Sequence, residues 1–118
     1  MKYRIMLLSL AIVAIFTTQC KKGKPVTCTQ KIGAVGLKLG DTLKITCPAN
    51  CGGSVWGVKS YTSDSAICAA AIHSGKISKS GGSATLEVVS GQDKYEGSEK
   101  NGIKSRSWGK WKSGFIFK

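Results

Sequence analysis

With one histidine and six carboxylates in 118 residues, the chain has little material for acid–base chemistry. His73 has no recognisable Asp or nucleophile placed to orient it, which leaves no dyad or triad to build. There is no Gly-x-Ser-x-Gly elbow and no carboxylate pair at a useful spacing. Gly33-Ala34-Val35-Gly36 and Gly81-Gly82 lack the Lys-Ser or Lys-Thr that would complete a phosphate-binding loop. His73 and Cys68 stand five apart on a predicted helix, about 500° around its axis, so they cannot share a metal. Internal repeats and a coiled-coil seam are also missing, as is an apolar run of the roughly 20 residues that span a bilayer. These absences exclude an enzyme and imply no cofactor and no metal.

The N-terminus is what an exported chain needs. Met1-Lys2-Tyr3-Arg4 is a short cationic start, Ile5 to Phe16 is almost wholly apolar, and Thr17-Thr18-Gln19 turns polar at once. Residues 1–19 read as a signal peptide. Cys20 stands where lipoproteins carry the cysteine that is acylated, although Thr17 and Gln19 depart from the preferred residues before it. The expectation is an exported protein, either a lipoprotein anchored in the membrane through Cys20 or freely secreted. Residues 20–27, with Lys21-Lys22-Gly23-Lys24-Pro25, read as a polar tether outside the core, and residues 28–118 as one domain.

Five cysteines are an odd number for an exported protein. Setting Cys20 aside leaves Cys28, Cys47, Cys51 and Cys68, enough for two disulfides in an oxidising compartment. Four cysteines allow three pairings, and spacing does not choose among them. Each bridge between sequence neighbours would contribute about 3 kcal/mol.

Without Lys2 and Arg4 the formal charge falls from +12 to +10, a strongly basic surface that suits anionic partners. Basic and aromatic residues interleave near the C-terminus, where Lys104, Arg106, Lys110 and Lys112 accompany Trp108 and Trp111. Such a pattern can stack on sugar rings while holding phosphate or carboxylate. The alternative is that the two tryptophans close the core and the cations face water. Nucleic acid is a poor partner for an exported disulfide protein.

Leu37 to Cys47 predicts a strand, with period two clearest over Leu43–Cys47. Pro48-Ala49-Asn50-Cys51-Gly52-Gly53 predicts a turn, and Ser54 to Tyr61 a second strand. A helix is predicted from Ser63 or Asp64, either able to cap it, to Gly75 as a left-handed stop. Its segment Ala66–Ile72 is apolar on every face and belongs inside. Ala84–Val89 and Ser113–Phe117 predict further strands, the latter pointing Phe115 and Phe117 to one side. Asn101-Gly102 predicts a tight turn. The fold class is α+β, a central buried helix wrapped by short strands.

Val55-Trp56-Gly57, Tyr61, Ser65, Ile67-Cys68, Ala70-Ala71, His73 and Gly75, followed by Gly81-Gly82, Gly97-Ser98, Asn101-Gly102-Ile103 and Phe115, together resemble the LCCL domain family. The resemblance runs from Cys28 to Phe117. It implies a helix wrapped by sheet, disulfides in sequence order (Cys28 to Cys47 and Cys51 to Cys68), and a non-enzymatic recognition module. Here the module would be a monomeric, single-domain, bacterial-type secreted protein or lipoprotein. Its expected ligand is an anionic polysaccharide or a lipopolysaccharide-like glycolipid at the cell envelope, held by Lys104, Arg106, Trp108, Lys110, Trp111 and Lys112. The alternative is a protein-interaction or structural module whose partner is another envelope protein.

Overall fold

The computed structural model describes residues 23–118. Within them lie a six-stranded sheet and a separate two-stranded hairpin. The sheet is built from β1 (Lys24–Pro25), β2 (Thr42–Cys47), β3 (Gly57–Val58), β4 (Ser60–Thr62), β5 (Gly82–Ser90) and β8 (Ser113–Phe117), in the spatial order β1-β2-β5-β8-β4-β3. Helix α1 spans Ile67–Ser74, and the hairpin is β6 (Glu99–Lys100) with β7 (Ile103–Lys104). This is the α+β architecture expected, one helix on a sheet with two disulfides.

Register assigns the two faces of the sheet. Leu43 stands opposite Leu86 and Leu86 opposite Phe117. Val88 stands opposite Phe115, and Phe115 opposite Tyr61. Because side chains alternate along a strand, these rows share one face, and all belong to the core or pack against it. Lys44, Thr85 and Glu87 fall on the other face, where Glu87 pairs with Lys118 at 3.5 Å.

Helix α1 lies within that core, with Ile67 through His73 all buried. The sheet takes one side and the β6–β7 hairpin another, with Ile103 packed on the core and Asn101 Nδ2 donating to the His73 carbonyl at 3.0 Å. Gly75 ends the helix at φ 85°, as its sequence implies. Asn101 (φ 54°) and Gly102 (φ 81°) make the two-residue hairpin turn.

The helix start differs from expectation. Ala66 is the N-cap and makes no side-chain cap bond. Instead the Ile67 N–H donates to the Gln30 carbonyl at 3.0 Å, so a neighbouring loop satisfies one of the first-turn amides that no helical carbonyl reaches. Ser65 is drawn elsewhere, its Oγ accepting the Trp56 N–H at 2.9 Å. The predicted strand from Ser54 to Tyr61 is also broken. Lys59 adopts φ 67° and folds β3 back on β4, with Gly57 opposite Tyr61. A Cβ on Gly57 would collide with the Ser60 carbonyl, which is why that position tolerates only glycine.

Two expectations are corrected here. The stretch read as a tether is part of the fold over its described residues, since Lys24 and Pro25 pair in parallel with Ile45 and Thr46 and Val26 is buried in the core. Cys20 lies outside the described residues. The disulfides are Cys28–Cys51 and Cys47–Cys68, with Cα separations of 4.9 and 5.7 Å, not the sequence-order pairs. The reason lies in β1 and β2. Period two places Cys47 on the buried side with Ile45, towards the helix that carries Cys68. The parallel course of β1 carries Cys28 past the end of β2, beside the turn that holds Cys51.

Candidate tryptophan surface

None of the chain's three tryptophans is buried. The large aromatic side chains of the interior are Tyr61, Tyr95 and Phe115. Trp108 is 51% exposed, while Trp56 and Trp111 are half-buried. The three converge with Asp64 around a cleft of about 100 Å³. Trp56 and Trp108 meet edge to face, with ring centroids 6.4 Å apart and planes at 68°.

Each wall of the cleft is fixed by backbone. Trp56 bridges in parallel to Arg106, and Trp108 bridges antiparallel to Tyr95, exchanging hydrogen bonds of 2.8 and 3.0 Å with it. Tyr95 is fully buried, and its hydroxyl accepts the Gln92 N–H at 3.0 Å. Trp111 donates its N–H to the Gln92 carbonyl at 3.1 Å and its Nε1–H to Ser63 Oγ at 2.9 Å. Ser63, expected as a helix cap, orients this indole instead.

Of the residues singled out from sequence, the structure gathers Trp108 and Trp111 in the cleft. Lys110 and Lys112 flank Trp111 in an adjoining open groove of about 420 Å³, and Arg106 is exposed beside Trp56 in the backbone bridge. Lys104 stands apart, opposite Glu99 on the β6–β7 hairpin, and lines neither the cleft nor the groove. Sequence reasoning missed Trp56 and Asp64 as site residues. The signal for Trp56 was a large aromatic next to the core residue Val55. For Asp64 there was none, because its place follows from the turn that leads into α1.

His73 is wholly buried and structural. Its Nε2 faces the Ser98 carbonyl at 3.1 Å and its Nδ1 faces the Tyr61 hydroxyl at 2.9 Å. The Ser98 carbonyl only accepts, so that contact puts the proton on Nε2, where the Ser98 hydroxyl oxygen at 3.1 Å accepts from the same N–H, and Tyr61 donates to Nδ1. Burial holds the His73 pKa below its ordinary value, helped by Lys100 and opposed by the bond to Ser98. Burial also pushes the Tyr61 phenol up to about 12. Among the described residues no group of three His, Cys, Asp or Glu side chains could hold a metal ion.

The model of the LCCL domain matches residues 15–115. Among similar proteins, vitrin of Mus musculus is 37% identical over 94 residues, 77% of this chain and 14% of vitrin. Clotting factor C of Tachypleus tridentatus is 38% identical over 85 residues, 70% of this chain and 8% of that protein. Cochlin of Mus musculus is 35% identical over 94 residues, 77% of this chain and 16% of cochlin. The chain therefore spans less than a fifth of the length of these relatives. All are animal proteins, which overturns the reading of a bacterial-type lipoprotein of the cell envelope. Export itself stands, since paired cysteines persist in oxidising compartments.

Proposed function

The chain belongs to the LCCL domain family, a non-enzymatic binding module, and from that premise we propose that it holds another exported protein against its tryptophan face. The observation that carries this reading is Trp108, an indole half in water and edge-packed on Trp56. Tryptophan and arginine anchor protein interfaces out of proportion to their number, and Arg106 lies beside them. Covering the exposed half of a Trp side chain removes roughly 100 Å² of largely apolar surface from water, worth about 2.5 kcal/mol. Export through residues 1–19 is part of the same proposal, and N-terminal sequencing of the secreted protein checks it.

The experiment is capture from the secreted fraction of the native tissue with the wild type and with Trp108→Ala. A partner retained at high salt by the wild type and lost with the variant supports the interface, because charge-driven contacts weaken with salt. Equal retention by both proteins ends it.

A second reading, recognition of an anionic polysaccharide or glycolipid, is favoured by the groove that Lys110, Trp111 and Lys112 line on a strongly basic chain. Neutralising Lys104, Arg106, Lys110 and Lys112 together tests it by binding to acidic polysaccharide and to lipopolysaccharide. Affinity unchanged by the four substitutions removes this reading.

A further inference from the structure

The cleft between the tryptophans has a charge unlike its surroundings. Its lining is three indoles and one carboxylate, Asp64, on a chain with three times as many cations as anions. Asp64 is half-buried and has no ion pair or side-chain hydrogen bond among the described residues. Indole faces attract cations through their quadrupole, most strongly when the cation sits within about 6 Å of the ring centroid. An aromatic wall with one carboxylate suits a positive group and does nothing for an anion.

Size narrows the occupant. About 100 Å³ is far below the 300–1,000 Å³ or so of a pocket for a drug-sized ligand. It admits a compact ammonium head and not a hexose ring. The margin then decides what must accompany that head. Lys112 shares the neighbouring groove with Asp64 and Trp111, and Lys110 flanks the same indole. A lone cation would approach against this basic rim, whereas a ligand with an anionic group one short linker from its ammonium would satisfy both charges.

We propose that the Trp56, Trp108, Trp111 and Asp64 cleft is a site for a zwitterionic phosphocholine headgroup, its quaternary ammonium between the indoles and its phosphate on Lys110 and Lys112. The site rests on the reading of the tryptophan face as a binding surface, but it needs no protein partner and is tested without one.

Titrating the full chain with phosphocholine, choline, inorganic phosphate and Nα-acetyl-lysinamide, followed by tryptophan fluorescence and calorimetry, tests the assignment. Phosphocholine should bind saturably and at least about tenfold more tightly than either of its halves. Asp64→Asn and Trp108→Ala should each weaken it about tenfold; both side chains reach solvent, so unchanged circular dichroism is expected. Lys110→Gln with Lys112→Gln should weaken phosphocholine and leave choline alone. Three results would overturn the site: no saturable response, phosphate as tight as phosphocholine, or indifference to Asp64→Asn. Acetyl-lysinamide as tight as phosphocholine would also overturn it, pointing instead to a protein side chain. Phosphatidylcholine vesicles identify the source, since sedimentation with them means a lipid and binding of soluble phosphocholine alone means a non-membrane carrier; either supports the site. If Trp108→Ala abolishes partner capture while phosphocholine is inert, the interface survives and this site does not.

Discussion

Replacing Tyr61 with Phe probes the hydrogen bond at the centre of the core. The ring would keep its neighbours, since Phe115 and Phe117 lie at centroid distances of 5.7 and 6.1 Å, so only the hydroxyl is lost. His73 Nδ1, which accepts from that hydroxyl at 2.9 Å, would be left buried and unpaired. It cannot take the proton itself while Nε2 donates to Ser98, except by becoming charged in a place that burial already makes hostile to charge. An unsatisfied buried acceptor costs about 1–3 kcal/mol. For a domain of this size, a loss of about 2 kcal/mol lowers the melting temperature by roughly 10 °C. Thermal and denaturant unfolding without reductant would measure it. In a His73→Leu background the Tyr61 hydroxyl is the orphan, so Tyr61→Phe should there be neutral or stabilising. A loss below about 0.5 kcal/mol in the parent, or an equal loss in both backgrounds, would refute the assigned bond.

The other predictions concern protons, sulfur and backbone. His73 has a folded pKa below its ordinary value near 6.5, so the unfolded chain takes up the proton first. Its contribution to stability is complete above about 6.5 and declines as pH falls below it, and His73→Gln should flatten that decline in melting curves between pH 7 and 5. Replacing Cys28 and Cys51 together with Ser should leave the free-thiol count unchanged and cost about 3 kcal/mol, whereas replacing Cys28 and Cys47 should strand Cys51 and Cys68 and raise the count. Gly91 accepts no Cβ, because one would run into the Trp111 carbonyl. Gly91→Ala should cost roughly 1–3 kcal/mol and blue- or red-shift the tryptophan emission as Trp111 is displaced.

The period-two pattern over Leu43–Cys47 and the pairing of Phe115 with Phe117 were legible because side-chain alternation is local. So were the apolar helix, its Gly75 stop and the Asn101-Gly102 turn. What stayed hidden depended on segments far apart in sequence. The helix starts at Ala66 with its first amide on the distant Gln30 carbonyl, and no local rule announces that. Lys24–Pro25 looks like a linker because it is cationic and contains proline, yet an edge strand tolerates both. The disulfide pairing is not legible in the sequence because the parallel entry of β1 is a tertiary fact. At the tryptophan surface, Trp108 and Trp111 could be picked out by composition, but their meeting with Trp56 and Asp64 arises from two backbone bridges and a turn.

The interleaved cystines have a consequence for a protein that works outside the cell. One cross-link spans Cys28 to Cys51 and the other Cys47 to Cys68, so their loops overlap over residues 47–51. Every peptide bond from Cys28 to Cys68 therefore lies inside at least one closed ring. A protease that nicks the exposed Pro48-Ala49-Asn50 turn produces two polypeptides still joined through sulfur. Sequence-order pairing would have left that turn as the one place where a single cut parts the N-terminal strands from the helix.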